Sequence, residues 1–367
     1  DLPANEDGTF TTKLQDAALV YGNLMQGHAV ANAGIVSTDA ATADYVNTLL
    51  TDETGTLSSA FMAARFDAAM NPAGALGTFT TAYDRASDLR QIVRNEAAAG
   101  EGNRLWAQVS GGFTDFDGIS TGAQDLDLET DVYGIVIGGE AKLSRGVVGV
   151  ALTAGTGDTE NDDVHAKDEF DYYGLSVYGK TTVAGFDVLA DASMTFVESD
   201  MTVGGVADVD TDTTTAVYSA GAQVQKTFEL GVDVTPFVGV DVYHVRGDGF
   251  KNGHGAKVED SDATAVEFPI GATFSKNIET ANGMKVSPNF MFAVVPTVGD
   301  TDIDSKVRLA GAQSTYNFTF ADDVKVRSRL GVTAEKGNFA LGLSAGYEWG
   351  NEERSATSVR VNAQYRF

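Results

Sequence analysis

The segment Gly342–Gly346 has the G-x-S-x-G spacing of a nucleophile elbow, in which a serine attacks an acyl carbon. That chemistry needs the serine on a strained turn between a strand and a helix. Here Ser344 lies inside Leu341–Trp349, where apolar residues alternate with small or polar ones as they do along a single strand. The motif therefore predicts a serine that faces one side of a strand, and hydrolysis is the weaker interpretation.

Two acidic runs begin like the calcium-binding loop of an EF-hand. They are Asp208-x-Asp210-x-Asp212 and Asp300-x-Asp302-x-Asp304. Neither run has the glycine at the sixth place or the glutamate at the twelfth that complete the calcium cage. The spacings typical of zinc sites are also absent among the four histidines, which are His28, His165, His244 and His254. We therefore predict no metal site and no cofactor, and we interpret the acidic runs as solvated loops with at most weak cation binding.

Oppositely charged side chains occur in two separate parts of the chain. Tyr83–Ala99 has the pattern of an amphipathic helix, and four aspartates occupy polar positions of segments whose alternate residues are apolar. The basic residues of the helix are Arg85, Arg90 and Arg94, and the aspartates are Asp187, Asp191, Asp233 and Asp241. Such aspartates are costly in a dry core but not in a hydrated lumen. Either the arginines form a solvated face, or the helix lies among the aspartates and pairs with them.

The last segment of the chain, Ser355–Phe367, indicates what kind of element carries these groups. Phe367, Tyr365 and the valines before them alternate with arginines and amides, which is typical of a strand with one apolar face. In a membrane barrel the last strand ends in the aromatic girdle at the bilayer interface. An ordinary half-buried strand of a soluble sheet is the alternative.

Alternation with a period of two continues from Arg104 to the end of the chain and predicts about twelve strands, an even number of the kind found in bacterial barrels. The predicted strands are Arg104–Phe116, Thr130–Leu143, Val147–Thr156, Glu169–Thr182, Gly185–Glu198, Thr213–Phe228, Val232–Val245, Ala263–Lys276, Met284–Val298, Asp323–Lys336, Asn338–Trp349 and Ser355–Phe367.

The predicted connections alternate in length along the chain. The short ones are Ser144–Gly146, Val183–Ala184, Glu229–Gly231, Asn277–Gly283 and Gly337. The long ones, mostly acidic, are Asp117–Glu129, Gly157–Asp168, Ser199–Asp212, Arg246–Asp262 and Gly299–Asp322. A soluble sandwich gives no reason for this sorting, whereas a membrane barrel has short periplasmic turns and longer outer loops.

Composition agrees with a barrel and excludes other classes of protein. No run approaches the ~18 consecutive apolar residues of a spanning helix, so a helical membrane protein is excluded. The chain has no cysteine, which excludes disulfides and thiol chemistry. Its net charge of −27 argues against nucleic acid as a partner. Because the chain begins at Asp1 without a visible secretory signal, we expect it to be processed or to be part of a longer protein.

The pattern before Arg104 is helical rather than alternating. We predict three regions: residues 1–82, a helical region that is a linker or a passenger remnant; residues 83–103, a pore or linker helix; and residues 104–367, an all-β transmembrane barrel. The last helix is expected to thread the lumen of the twelve-stranded antiparallel barrel.

The sequence resembles the translocator domain of a classical monomeric autotransporter, of the type V secretion family. The resembling segments are R-L-W-A-Q-V-S-G-G-F at Arg104–Phe113, V-S-P-N-F at Val286–Phe290, L-G-L-S-A-G-Y-E-W at Leu341–Trp349 and the Y-R-F ending, with a helical segment just upstream. The resemblance implies a barrel in a Gram-negative outer membrane, a threaded helix at about Asp84–Gly102, and a passenger exported to the cell surface. It also implies that the barrel-assembly machinery recognises Phe367 and Tyr365 as an assembly signal.

We therefore predict an outer-membrane translocator and anchor, monomeric and not an enzyme, whose partners are the lipid bilayer, the barrel-assembly machinery and its own N-terminal passenger. One departure is the short region before the barrel, because the family usually carries a large β-helical passenger. Two rival functions stay open: a passive, porin-like barrel with a helical plug or partner-binding module, and an outer-membrane hydrolase. The family also suggests a minor alternative, self-cleavage of the passenger by Asn95 or Asn103 with Asp187 or Asp191.

Overall fold

The computed structural model describes residues 68–100, 102–120, 125–162, 164–203, 211–252, 256–309 and 312–367. Residues 68–70 are helical, and two further helices lie between them and the strands: α1, Pro72–Ala75, and α2, Thr78–Ala99. Gly77 separates α1 from α2 with a φ of +60°, a left-handed conformation that favours glycine. The helices predicted within residues 1–67, together with Asp208, Asp210, His28 and His254, lie outside the described residues.

The strands follow one another without an intervening helix in the described part of the chain. They are β1 Arg104–Ser120, β2 Asp125–Leu143, β3 Gly146–Asn161, β4 Ala166–Val183, β5 Phe186–Val203, β6 Thr211–Gln225, β7 Phe228–Glu229, β8 Asp233–Gly247, β9 Lys257–Val258, β10 Ser261–Glu267, β11 Ile270–Ser275, β12 Ile278–Glu279, β13 Lys285–Gly299, β14 Asp302–Leu309, β15 Ala312–Thr319, β16 Val324–Lys336, β17 Phe339–Gly350 and β18 Arg354–Arg366.

Twelve of these strand positions form a closed antiparallel barrel, as predicted. β10 and β11 together count as one position, because Pro269, which cannot donate to the ladder, interrupts the pairing between them. β7 and β12 are short extensions at one end, and β9, β14 and β15 make a separate small sheet. The barrel closes where β1 pairs with β18, with Val109 opposite Val361. The prediction of a twelve-stranded barrel is confirmed.

The two faces of the barrel are the reverse of those of a soluble protein. On β18 the outward residues Val359, Val361, Tyr365 and Phe367 are 50%, 46%, 40% and 68% exposed, while Arg360 on the inward face is buried. An apolar band on the outside and polar residues on the inside are the pattern of a membrane barrel. No helix in the described residues is long and apolar enough to cross a membrane.

The predicted strand ends were wrong at one end of the barrel. Residues predicted as long loops, including much of Gly157–Asp168, continue the strands instead: β3 runs to Asn161 and β4 starts at Ala166. The prediction ended each strand where its outward apolar face ends, but polar residues can continue the backbone ladder in water. There Thr130 and Thr159 join neighbouring strands through a 2.9 Å hydroxyl hydrogen bond.

The two ends of the barrel are named here by their connections. The short-turn end has the tight turns after β2, β4 and β16, and the long-loop end has the excursions after β8 and β13. Outward tyrosines mark a girdle below the long-loop end: Tyr133, Tyr173 and Tyr218 are all exposed. Beyond this girdle the outward face of β4 becomes charged, with Asp171, Glu169 and Lys167 in succession. The strands therefore extend out of the bilayer at the long-loop end.

The lumen at the long-loop end is filled by apolar side chains. Ala69, Met70 and Leu76 are buried there beside the small sheet, which contributes Ile303 and Phe318. A Cβ placed on Gly74 of α1 would collide with the Phe318 ring, so the close approach of α1 to the sheet requires glycine there.

Two hydrogen bonds pin the same segment to the rim of the barrel. Asn252 donates from Nδ2 to the carbonyl of Ala69 over 2.7 Å, and Asn71 donates from Nδ2 to Ser305 Oγ over 3.1 Å. Residues 68–77 are therefore held at the long-loop end by side chains of the outer excursions.

Candidate functional site in the barrel lumen

Helix α2 passes through the lumen from the long-loop end to the short-turn end. Near its start, Phe79 packs against Gly247, the last residue of β8 at the long-loop end. Near its end, the Ala98 carbonyl accepts a 2.8 Å hydrogen bond from Lys180 Nζ, which lies towards the short-turn end. Its 22 residues span about 33 Å, close to the ~30 Å of the hydrocarbon core. The helix begins at Thr78, more than one turn before the predicted start.

Two arginines one turn apart on α2 meet two aspartates of the barrel wall. Arg90 Nε and Arg94 Nε each lie 2.7 Å from a different oxygen of Asp191 on β5. Arg94 Nη1 also donates to Asp241 Oδ2 on β8 over 3.0 Å. All four side chains are almost fully buried, so each charge depends on its partner. We call Asp191 and Asp241 together the acidic wall.

The other charged residues singled out in the sequence lie elsewhere. Arg85 pairs within the helix with Asp88, 3.2 Å away, because five residues before Arg90 correspond to about 140° around the helix axis. Asp187 lies on the lumen face towards the short-turn end and accepts a 2.7 Å hydrogen bond from Thr182. Asp233 starts β8 at the short-turn end. The structure thus brings together two of the three arginines and two of the four aspartates.

A wall of basic side chains, not identified from the sequence, lies across the lumen. Its members are Lys325, Arg327 and Arg329 on β16 and Arg354 and Arg360 on β18, and we call it the basic wall. The three residues on β16 occupy alternate positions of the segment K-V-R-S-R, which was the available sequence signal that they share one face.

Near the long-loop end, the basic wall is neutralised by carboxylates from the barrel and from α2. Lys325 Nζ lies 2.6 Å from Glu267 Oε1, and Arg354 pairs with Asp84 of the helix. Arg327 donates from Nη2 to Ser87 Oγ of the helix over 2.9 Å. This buried network therefore fixes the first half of α2.

Further along the helix, the contacts with the basic wall become sparser. Arg360 Nη2 lies 3.1 Å from Asp88 Oδ1. Arg329 donates from Nη2 to the neutral Asn95 Oδ1 over 2.7 Å, and among the described residues no carboxylate lies within 4.0 Å of its guanidinium. Arg90 and Arg94 of α2 face the acidic wall, whereas Asp84 and Asp88 face the basic wall, so the charges select one rotation of the helix about its axis.

The short-turn end has a third cluster, centred on Arg104, which the sequence also did not identify. Arg104 lies 2.7 Å from Glu140 Oε2 on β2 and 3.0 Å from Glu96 Oε2 on α2. Its Nη1 donates to Gln364 Oε1 on β18 over 2.6 Å. One buried side chain therefore connects the helix to the first, second and last strands, at the place where the barrel closes.

A cavity of about 430 Å³ lies beside α2 and is lined by residues of β6, β8, β11, β13, β16, β17 and β18, together with Gln108 of β1. It reaches the exposed residues Thr227 and Ala99 at the short-turn end. Arg329, Arg360 and Gln108 are among the polar side chains that line it. The helix thus leaves one side of the lumen open.

Where the structure describes them, the motifs suggestive of chemistry have no supporting geometry. Ser344 lies in the middle of β17 with no turn beside it. Asp302 and Asp304 accept hydrogen bonds from Thr319 and Asn317 across the small sheet. No cluster of metal-ligating side chains occurs in the part of the chain that the structure describes.

The asparagines considered for self-cleavage have other partners. Asn95 accepts from Arg329, as described above. Asn103 Oδ1 accepts a 2.8 Å hydrogen bond from the backbone N–H of Lys142.

The family profile of the autotransporter beta-domain matches residues 105–348, about two-thirds of the 367 residues. The chain belongs to this autotransporter family. A search of curated proteins found no significant match. The predicted resemblance is confirmed.

Solved structures of autotransporters share the fold. The translocator domain of the autotransporter NalP from Neisseria meningitidis is 16% identical, with a TM-score of 0.64 over 79% of this chain and 97% of that one. The beta domain of the Bordetella autotransporter BrkA is 18% identical, with a TM-score of 0.56 over 73% and 100%. The transport unit of the autotransporter AIDA-I from Escherichia coli is 14% identical, with a TM-score of 0.56 over 72% and 90%.

Family membership places the barrel in the bacterial outer membrane, where it acts as the translocator and anchor of an autotransporter. The short-turn end is therefore periplasmic and the long-loop end faces the cell surface. The family has a passenger of its own and is defined by transport rather than by catalysis.

Proposed function

We propose that the barrel exports the chain that precedes α2 to the cell surface and then keeps α2 as a plug and tether. The direction of α2 carries this proposal. Its first turn lies at the cell-surface end, and its last turn is joined to β1 through a few residues at the periplasmic end. A chain leaving the start of α2 therefore points outward, as an exported segment must.

An epitope placed at Asp1 tests this proposal. An antibody should label intact cells and permeabilised cells equally, because the N-terminal region has crossed the membrane. Labelling only after permeabilisation would place that region in the periplasm and favour the plugged, porin-like barrel. A second epitope at the exposed turn residue Gly337 is the periplasmic control, since it should be labelled only after permeabilisation.

We propose that the charged residues of the lumen hold the plug. The buried pairs of Arg90 and Arg94 with the acidic wall support this role, because an unpaired charge there would be costly. Replacing Arg85, Arg90 and Arg94 with glutamate should raise the single-channel conductance. Because Arg85 does not contact the acidic wall, the double variant of Arg90 and Arg94 should account for most of the effect.

We propose that the barrel-assembly machinery recognises the outward aromatic residues of β18 and that the barrel is monomeric. Tyr365 and Phe367 are exposed and stacked, with ring centroids 6.4 Å apart, at the periplasmic end where the chain stops. Deleting Phe367 should lower the amount of folded barrel in the outer membrane. A normal yield would assign recognition to other residues.

We propose that the barrel does not cut its passenger. The partners of Asn95 and Asn103 are a cation and a backbone amide, and neither asparagine is paired with a carboxylate in the described residues. Replacing either asparagine with alanine should leave the length of the surface-exposed chain unchanged. A longer product in one variant would establish self-cleavage.

A further inference from the structure

The cavity beside α2 contains an arginine, Arg329, that has no carboxylate within 4.0 Å in the described part of the chain. Arg360 also lines the cavity, from β18, two strands away from Arg329. Its carboxylate partner on the helix is Asp88. These two guanidinium groups face an open space of about 430 Å³, and the three carboxylates that also line it, Glu96, Asp187 and Asp241, have other partners and form no ion pair with either arginine in the described residues.

A second observation points to a missing ligand in the same place. Gln108 lines the cavity, is only 7% exposed, and its Nε2 has no hydrogen-bond partner among the residues that the structure describes. Its register partner on β18 is Asn362, which lies two residues from Arg360 on the same face. A buried donor without a partner is uncommon and costs free energy unless something occupies the space beside it.

We propose that Arg329, Arg360 and Gln108 form a carboxylate-binding site on the side of the lumen that α2 leaves open. Guanidinium groups bind carboxylates through paired, charge-assisted hydrogen bonds, and the Gln108 amide supplies a further donor. Asn95 holds Arg329 in place from the helix. Because the cavity reaches Thr227 and Ala99, the ligand enters from the periplasm.

The carboxylate has two sources. One is a soluble periplasmic anion. The other, which rests on the proposed export function, is the chain itself, because residues 1–67 carry nine Asp or Glu side chains against two Lys or Arg. The two sources share one chemistry and differ in when the site is occupied.

Calorimetric titration of the folded, purified chain with succinate tests the site, with succinamide at equal ionic strength as the neutral probe. Arg329→Gln should weaken succinate binding by about tenfold or more, the loss expected when a charged hydrogen-bond partner is removed. Arg246→Gln, an exposed arginine outside the lumen, is the matched control and should bind like the original chain. Asn95→Asp should abolish binding with Arg329 intact, because it supplies an internal carboxylate at 2.7 Å from the guanidinium.

The rate at which the Asp1 epitope reaches the cell surface separates the two sources. A slower rate in Arg329→Gln, restored when the acids of residues 1–67 are changed to amides, assigns the site to the passing chain. If the original chain binds succinate but Arg329→Gln leaves the rate of epitope appearance unchanged, the site is assigned to a soluble anion. Two results would overturn the proposal: no heat of succinate binding in the original chain, or equal heats in the original chain, in Arg329→Gln and in Asn95→Asp. Failure of the export function itself would be distinct, since no epitope would then reach the surface of cells with the original chain.

Discussion

Replacing Asp191 with asparagine should destabilise the barrel more than any other single change to the acidic wall. Asp191 is the shared partner of Arg90 and Arg94, with one oxygen 2.7 Å from each Nε. After Asp191→Asn, the carboxylate partner that Arg90 keeps among the described residues is Asp241, at 3.7 Å. Removing one partner of a buried ion pair costs about 3–5 kcal/mol, and because Asp241 remains we expect about 3 kcal/mol.

The assay is urea unfolding of the purified chain in lipid vesicles, followed by the loss of the compact, heat-modifiable form on gels. Asp187→Asn is the matched control, because Asp187 lies on the same strand and faces the same lumen but has no ion pair among the described residues. We expect its free energy of unfolding to change by less than about 0.5 kcal/mol. If both variants unfold at the same urea concentration, the acidic wall does not hold α2 and the reasoning fails.

Three further changes test other parts of the molecule. Burial raises the pKa of the Asp168 carboxyl, at the surface end of β4, from 3.8 to about 7. The folded state therefore holds this proton more tightly, its stabilising contribution falls as pH rises from about 4 to about 7, and Asp168→Asn should be more stabilising at pH 8 than at pH 5 in urea titrations. Gly74→Val should clash with Phe318, cost about 1–3 kcal/mol, and speed amide hydrogen exchange of β14 and β15; unchanged exchange would contradict that packing. Arg104→Gln should slow closure of the barrel, measured as the rate at which the heat-modifiable form appears, and an unchanged rate would limit Arg104 to holding the helix.

The barrel could be predicted from the sequence because its outward and inward residues differ at every second position. The alternation of Val359, Val361 and Tyr365 with polar residues specified both the strand and its lipid face. Beyond the bilayer this contrast disappears, because the outward face of β4 becomes charged at Glu169 and Lys167 while its inward face carries both Asp168 and the apolar Phe170. The backbone ladder continues there through main-chain hydrogen bonds that do not depend on side-chain type, so the strand ends could not be located.

The lumen site could be predicted only in part. Arg90 and Arg94 are one turn apart, so their common face follows from the sequence, and Asp191 is marked as lumen-facing by its apolar neighbours. The pairing of the basic wall with its partners depends on the register of β16 with β17 and β18 and on the rotation of α2. Neither quantity is encoded in any single segment, which is why Arg327 and Arg354 were not paired with their partners in advance.

The plug is held both by apolar packing and by ion pairs. At mid-depth one face of α2 packs against the barrel wall, where Leu89, Ile92 and Val93 are buried in an apolar cluster with Trp106 and Val136. Ion pairs on two sides, through Arg94 and Asp88, fix its rotation. At the surface end the small sheet covers residues 68–77, so apolar packing around Phe318 becomes available and adds stability. Charge therefore specifies how the helix sits, while apolar packing at the surface end resists its withdrawal towards the periplasm.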